Sequence, residues 1–328
     1  PTAVINSSLA GVYKNAIERG FDKVYGMLHG IQGLLDEQYI DLSTQIHSEL
    51  DIELLKRTPS AFLGSCRYKL PEIHEDKAIY EKIFEILNKL DIYAFIYIGG
   101  NDSMDTIKKL SDYAILTGQT QKFLGVPKTI DNDLALTDHT PGFGSAAKYI
   151  GASTKEVIRD ALGLTYKKNM ITIMEIMGRN AGYIALWCGI ANGAEDILLP
   201  EKYDYDEQKI INNIIENRRK GKKHHIIVNA EGIGHSTSMA RRIEAATGIE
   251  TRATILGHMQ RGGSPTCKDR VYASIMGSMA VDLLCQGKTN RVVGYKNGEY
   301  VDYDIEEALA MKKTVSEYQY EVAKTLAL

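Results

Sequence analysis

One pattern constrains this chain more than any other: a short apolar run, a polar glycine-bearing turn, then a segment with helical periodicity, repeated along its length. Ile92 to Ile98 (IYAFIYI) runs into GGNDS, and Met170 to Met177 (MITIMEIM) runs into GRNAG. HHIIVNA precedes Glu231, RATILGHM precedes QRGG, and KFLGV precedes PKTIDND. Apolar runs of this length, bounded by turns and alternating with helices, read as buried parallel strands of an α/β sheet. Ligands of such sheets collect at the carboxyl ends of the strands, so the chemistry is expected in these turns.

The intervening segments read as helices. Residues 76–89 place Ile79, Ile83 and Ile86 at helical spacing with Phe84 and Leu87 alongside. Further helices are expected over 142–162, from Asn180 to Ile190 after GRNAG, and from Asp269 to Leu284 after GGSP. Trp187, the lone tryptophan, is expected in the core on the helix after GRNAG. His224 and His225 are expected to begin the HHIIVNA strand. The opening stretch, PTAVINSSLAGVYKNAIERG, looks like the helix of a first βα unit without its strand. The regularity of such units favours a strand that lies before residue 1.

Composition narrows the function classes. The 328 residues are 44% hydrophobic and 25% charged, a globular balance, and no run of about 18 apolar residues is present to span a membrane. A formal net charge of -3 argues against general affinity for nucleic acid, so an anionic ligand must be met by locally gathered arginines and lysines. The densest basic run, Arg218 to Lys223, reads as a solvated loop between a helix and a strand. Cys66, Cys188, Cys267 and Cys285 show no CxxC spacing and read as reduced thiols of a cytoplasmic protein.

Two turns carry chemistry. In Gly99-Gly100-Asn101-Asp102-Ser103 a glycine turn lets backbone N–H groups approach a phosphate, and the helix beyond adds a partial positive charge. Glycine pairs are also ordinary turn devices, and Asp102 and Asp105 would repel a phosphate unless a cation lay between. In PKTIDND, Lys128, Asp131 and Asp133 fall within six residues of one another. A lysine there can neutralise a moving phosphoryl group. Of two aspartates two apart, one can accept a hydroxyl proton while the other holds Mg2+. The plain alternative is an Asx-rich surface turn with a solvated lysine.

FLGSCR (Phe62 to Arg67), GGNDS, PKTIDND, TPGFGSA (Thr140 to Ala146), MGRNAG (Met177 to Gly182), NAEG (Asn229 to Gly232) and ETRATILGHMQRGGSP (Glu250 to Pro265) stand in the order seen in the phosphofructokinase family, which the sequence resembles along nearly its whole length. The resemblance implies two doubly wound, Rossmann-like α/β domains. A phosphoryl-donor domain would be formed by 1–142 plus 260–311, and a fructose 6-phosphate domain by 143–259 plus 312–328. It implies Asp131 as the base that takes the proton from the sugar 1-hydroxyl, with Asp133 assisting through Mg2+. Lys128 and Thr129 join Asp131 as catalytic residues, and Thr129 and Asp131 also face the sugar. Gly99, Gly100, Asn101, Asp102, Ser103 and Arg67 would meet the donor, and Asp102 and Asp133 the metal. Met177, Gly178, Arg179, Glu231, His258 and Arg261 resemble the sugar-phosphate pocket. Arg252 matches an arginine that in oligomeric relatives reaches a neighbouring subunit's sugar phosphate, which implies a homo-oligomer, dimer or tetramer.

Two positions bear on the donor. ATP-dependent members typically have glycine where Asp102 and Lys128 stand here; the Asp102–Lys128 pairing resembles pyrophosphate-dependent members. The expectation is reversible phosphoryl transfer from Mg-pyrophosphate to fructose 6-phosphate, with an ATP-dependent enzyme and a catalytically silent subunit of the same fold as alternatives. A kinase of NAD or diacylglycerol also uses a GGDG-like loop but lacks the PKTIDND and HMQRGG elements. One departure stands out: the register of a second interface arginine falls on Met170, with Lys167 or Lys168 as substitutes.

Overall fold

A computed structural model describes residues 1–164 and 168–327. The chain opens with α1 (Ile5–Glu18), β1 (Tyr25–Met27), α2 (Gly30–Leu35), β2 (Tyr39–Asp41) and α3 (Glu49–Arg57). There follow α4 (Lys77–Lys89), β3 (Ala94–Gly99), α5 (Asn101–Thr117), β4 (Lys122–Pro127) and α6 (Phe143–Gly163). Next come β5 (Met170–Ile176), α7 (Tyr183–Asn192), β6 (Asp196–Leu198), α8 (Glu207–Arg219) and β7 (His224–Ala230). The remainder is α9 (Ser236–Thr247), β8 (Glu250–Ile255), α10 (Cys267–Cys285), β9 (Arg291–Lys296), β10 (Glu299–Asp304), α11 (Ile305–Ala310) and α12 (Glu317–Leu326).

These elements form two compact units, each woven from separate stretches of chain. The first comprises Pro1–Ile130, Leu134–Ser145 and Ser264–Lys313; the second comprises Asp131–Asp133, Ala146–Gly263 and Thr314–Leu328. Each is an α/β unit around a four-stranded sheet, ordered β10-β9-β4-β3 in the first and β6-β7-β5-β8 in the second. β3, β4 and β9 run parallel, with β10 antiparallel at the edge. The second sheet is parallel throughout. A two-stranded antiparallel ribbon, β1-β2, accompanies the first unit.

The apolar runs become strands for the reason the pattern implied. Phe123, Leu124 and Val126 of β4 are fully buried, and in the second sheet Ile173, Ile227 and Val228 are too. Asp76 caps α4 by accepting from the Ile79 N–H, and the face carrying Tyr80, Ile83, Phe84 and Leu87 is buried with Tyr113 and Phe123. In the first unit α1 lies against α10 at unusually close range. A Cβ on Gly277 would stand 2.2 Å from the Ser8 carbonyl oxygen, and one on Gly11 would stand 2.1 Å from that of Ser274.

Three local expectations need correction. The helix after GRNAG begins at Tyr183, not Asn180, because the Glu201 carboxylate accepts the Gly182 N–H (2.8 Å) and fixes the preceding residues in a turn. The strand read through RATILGHM stops at Ile255, and Gly257, with φ +56, turns the chain into a 3-10 helix spanning Gly257–Arg261. Trp187 is no core residue: it is 44% exposed on α7, whose buried face is carried by Ile184, Ala185, Leu186 and Cys188. His224 and His225 do begin β7.

Candidate active site

Within the first unit the two phosphate-type turns stand side by side. β3 and β4 pair in parallel so that Gly99 lies opposite Pro127, and the Lys128 N–H donates to the Gly99 carbonyl at 2.9 Å. The GGNDS turn therefore leads straight into α5 beside the start of the PKTIDND loop. Its two glycines do different jobs. A Cβ on Gly99 would sit 1.8 Å from Ser103 Oγ, so Gly99 is demanded by packing. One on Gly100 would meet nothing nearer than the Lys128 carbonyl oxygen at 3.7 Å, which leaves the space over the turn open. Asn101 and Asp102 are exposed in the first turn of α5, where unpaired N–H groups favour an anion. Asp105, by contrast, is engaged in an ion pair with buried Lys109 (2.8 Å).

The PKTIDND loop is held from below by the segment that follows it. The Thr129 N–H donates to the Pro141 carbonyl (3.2 Å), and Thr129 forms an isolated parallel bridge with Gly142. Arg67 lies exposed in the first unit, one residue past Cys66, whose thiol sits 3.9 Å from the Tyr97 hydroxyl of β3. Burial, reinforced by Cys66, pushes that hydroxyl well above its ordinary pKa. A cavity of about 930 Å3 runs along the edge of β3 away from β4, walled by Ile5, Leu9 and Val12 of α1 and by Ile96 and Ile98; from the two loops it draws in Ser103 and Lys128.

Asp131, Asn132 and Asp133 group with the second unit, and Asn132 adopts φ +54 between the two aspartates. Both carboxylates are half-buried. Burial, with the Glu201 and Asp133 carboxylates nearby, pushes the Tyr183 hydroxyl up to about 12, so Tyr183 stays a neutral donor.

In the second unit the ends of β5, β7 and β8 gather most of the residues expected for the sugar pocket. The Glu231 N–H donates to the Ile176 carbonyl (2.8 Å), the Leu256 N–H to that of Glu175 (3.2 Å), and Gln260 Oε1 accepts the Met177 N–H (3.0 Å). Gly178 has φ +130, and its Cβ would lie 2.4 Å from the Ala181 carbonyl oxygen; a Cβ on Gly232 would lie 2.0 Å from that of Arg179. Glycine is therefore required on both sides of the turn that presents Arg179. Met177, Glu231 and Arg261 are half-buried, and Arg179 and His258 are exposed.

Arg252 stands apart. It projects from the middle of edge strand β8, where its guanidinium holds Glu250 through Nε (3.0 Å) and Nη2 (2.6 Å). Lys168 Nζ reaches the same carboxylate at 3.5 Å, so this expected substitute for a second arginine shares a partner with Arg252. Lys167 lies outside the described residues, and Met170 is buried at the start of β5. The basic run is mostly exposed, although Lys222 pairs with Glu195. All four cysteines are free thiols. Among the described residues no helix is long and apolar enough to cross a membrane.

The sequence reading missed a buried cluster behind the PKTIDND loop. Asp269, fully buried in the first turn of α10, accepts from His139 Nε2 (2.6 Å), from the Ser145 N–H (2.7 Å) and from the Ser145 hydroxyl (2.5 Å). Burial pushes its carboxyl up, but the bonds from His139 and Ser145 outweigh that and hold it below the ordinary range. Since the partners are more than a hundred residues apart in sequence, no local pattern could have joined them.

Two α/β units with glycine turns at parallel strand ends define a class of doubly wound fold whose ligands gather at those strand ends. The sequence profile of that class named Phosphofructokinase matches residues 1–284, and the chain belongs to the phosphofructokinase family. It is 39% identical over 323 residues to an ATP-dependent 6-phosphofructokinase of Clostridium botulinum (strain Loch Maree / Type A3), covering 98% of this chain and 95% of that protein. A protein of the same description from Clostridium acetobutylicum is 38% identical over the same coverage. Among solved structures, a pyrophosphate-dependent phosphofructokinase from Marinobacter aquaeolei superposes with a TM-score of 0.85 at 30% identity, covering 99% of this chain and 88% of that one. One from Nitrosospira multiformis gives 0.88 at 29%, covering 99% and 89%.

Proposed function

We propose that this phosphofructokinase transfers a phosphoryl group from pyrophosphate to the 1-hydroxyl of fructose 6-phosphate, reversibly, giving fructose 1,6-bisphosphate. The supporting observation is the pairing of Asp102, exposed in the first turn of α5, with Lys128 at the neighbouring strand end. A nucleotide donor would bring its α-phosphate toward that turn. A carboxylate about 4 Å from it costs up to ~4 kcal/mol at an effective dielectric near 20, roughly a thousandfold in affinity. Pyrophosphate has no such group to repel.

The first unit carries the donor groups in this reading: Gly99, Gly100, Asn101, Asp102, Ser103 and Arg67, with Lys128 countering charge on the moving phosphoryl. The second carries the sugar pocket: Met177, Gly178, Arg179, Glu231, His258 and Arg261. Asp131 takes the hydroxyl proton, Thr129 lies beside it in the loop, and positioning supplies much of the acceleration. Asp102 suits Mg2+, which is commonly held by one or two carboxylates with phosphate oxygens and water completing its shell. Asp133 would be the second carboxylate, and the ion would neutralise donor charge when bound. Arg252, presented on an edge strand, fits a homo-oligomer in which subunits share sugar phosphates; a cytoplasmic glycolytic setting fits the free thiols.

The ATP-dependent reading has its own support in the description of relatives at 39% identity. Assaying the purified protein with pyrophosphate and ATP side by side separates the two: kcat/KM is expected to favour pyrophosphate by at least about a hundredfold, and a preference for ATP sinks the donor reading.

A further inference from the structure

The structure contains a continuous brace behind the donor loop, all of it within the first unit. Its base is Asp269, a carboxylate with no solvent exposure, bonded by His139 and twice by Ser145. A buried charge is costly unless its donors are fixed, so the residues that satisfy it are themselves held in place. The cluster is closed by the Thr266 N–H donating to Ser145 Oγ (3.0 Å) and by the Asp269 N–H donating to Thr266 Oγ1 (3.1 Å). Three donors therefore converge on the carboxylate, and the Ser145 hydroxyl both accepts and donates.

The brace leads directly to the chemistry. His139 and Ser145 bracket Thr140 to Gly144, and within that bracket the Phe143 N–H donates to the Thr140 carbonyl (3.1 Å). Gly142, at φ +111, is wedged so tightly that a Cβ would stand 2.6 Å from Thr2 Cγ2. One on Gly144 would lie 3.0 Å from His139 Cε1. The segment has little room to shift. Its Pro141 carbonyl receives the Thr129 N–H, its Gly142 bridges Thr129, and the adjoining Lys128 is tied to Gly99. A chain of contacts thus runs from Asp269 through His139, Ser145 and the Pro141–Gly142 segment to Thr129 and the neighbouring ends of β3 and β4.

We infer that Asp269 is a positioning residue for phosphoryl transfer, holding Lys128 and Thr129 in register through Ser145, His139 and the Pro141–Gly142 strap. The inference rests on the phosphofructokinase reading of the PKTIDND loop, whichever donor the enzyme uses. Small displacements of a charge-stabilising group cost turnover steeply, whereas Met177, Arg179, Glu231, His258 and Arg261 belong to the other unit.

The test is steady-state kinetics and thermal melting of Asp269→Asn, Ser145→Ala and Ser145→Thr, each measured against wild type with the donor that wild type prefers. Asp269→Asn is expected to melt cooperatively and to lose at least about tenfold in kcat with the KM for fructose 6-phosphate within about twofold. Ser145→Ala should lose about threefold in the same pattern, and Ser145→Thr, which restores the hydroxyl, should regain most of it. Wild-type-like kcat in Ser145→Ala overturns the inference. So does a sugar KM that rises in step with the loss of kcat, or activity that falls only as the unfolded fraction grows. Should Asp269→Asn not fold, the two Ser145 variants decide alone. A wild type inactive with every donor would instead sink the phosphofructokinase reading itself.

Discussion

At the scale of single residues, side chains and glycines that look alike in sequence separate by what surrounds them. Gly99 and Gly100 read as one motif, yet only Gly99 is demanded by packing, against Ser103. Gly100→Ala is expected to change stability by no more than about 1 kcal/mol in urea titrations while weakening donor use in kcat/KM. Gly99→Ala should lower stability by roughly 1–3 kcal/mol. Asp102→Gly tests the donor argument from the other side. It removes the carboxylate from the α5 turn, and kcat/KM for ATP should rise by at least about tenfold relative to pyrophosphate; an unchanged ratio would show that Asp102 does not select the donor. For the proposed base, Asp131→Ser should lower kcat by about a hundredfold or more with little change in sugar affinity, measured by titration of fructose 6-phosphate. Asp102, Lys128 and Asp131 were legible because each stands in a strand-end turn with its neighbours in sequence. Asp269 was not, because a buried acid in a helix after GGSP has no local signature until His139 and Ser145 are folded against it.

At the scale of elements, the strands that were legible are those whose apolar runs lack competing signals: β3, β4, β5 and β7. β9 and β10 were overlooked although their connection carries a hairpin signal, Asn297 (φ +52) followed by Gly298 (φ +90) between alternating runs. The three-residue strands β1, β2 and β6 are too short for any period to register. The contact of α1 with α10 was equally invisible, since it depends on two glycines more than two hundred residues apart. Gly277→Ala places a methyl group against the Ser8 backbone and should destabilise by about 1–3 kcal/mol in urea. β7 supplies a pH dependence. His224 is buried beside Thr172 (2.9 Å), and burial, with His225 and Lys222 near, lowers its pKa to about 4. The unfolded chain takes up this proton near pH 6.5, the folded chain only near 4, so the stability of the fold falls as pH drops through that window. The loss is of order 3 kcal/mol at most, and His224→Gln should flatten the stability profile between those pH values.

At the scale of the molecule, the turn motifs made the α/β class plain, while composition and periodicity carried no sign of how the chain shares itself between two units; a discontinuous division was expected only from the family resemblance. Residues 146–263, with their contiguous strands β5 to β8, supply nearly all of the second unit; the first is split, and its sheet needs β9 beside β4 and α10 against α1. That division has a consequence for biosynthesis. When β3 and β4 leave the ribosome they form only a two-stranded pair, marginal by itself in water. At about 5–20 residues per second, β9 arrives of order ten seconds later, after the strands of the second sheet have been made. The later-made unit thus has most of its chain before the earlier-begun one can close, and the first unit must wait exposed. A chain stopped after Gly263 is expected to yield protease-resistant fragments from residues 146–263 and none from residues 1–145. Resistant fragments from the first stretch would show that it folds without its returning strand. A nascent chain paused between β8 and β9 is therefore the species with the greatest need of a chaperone.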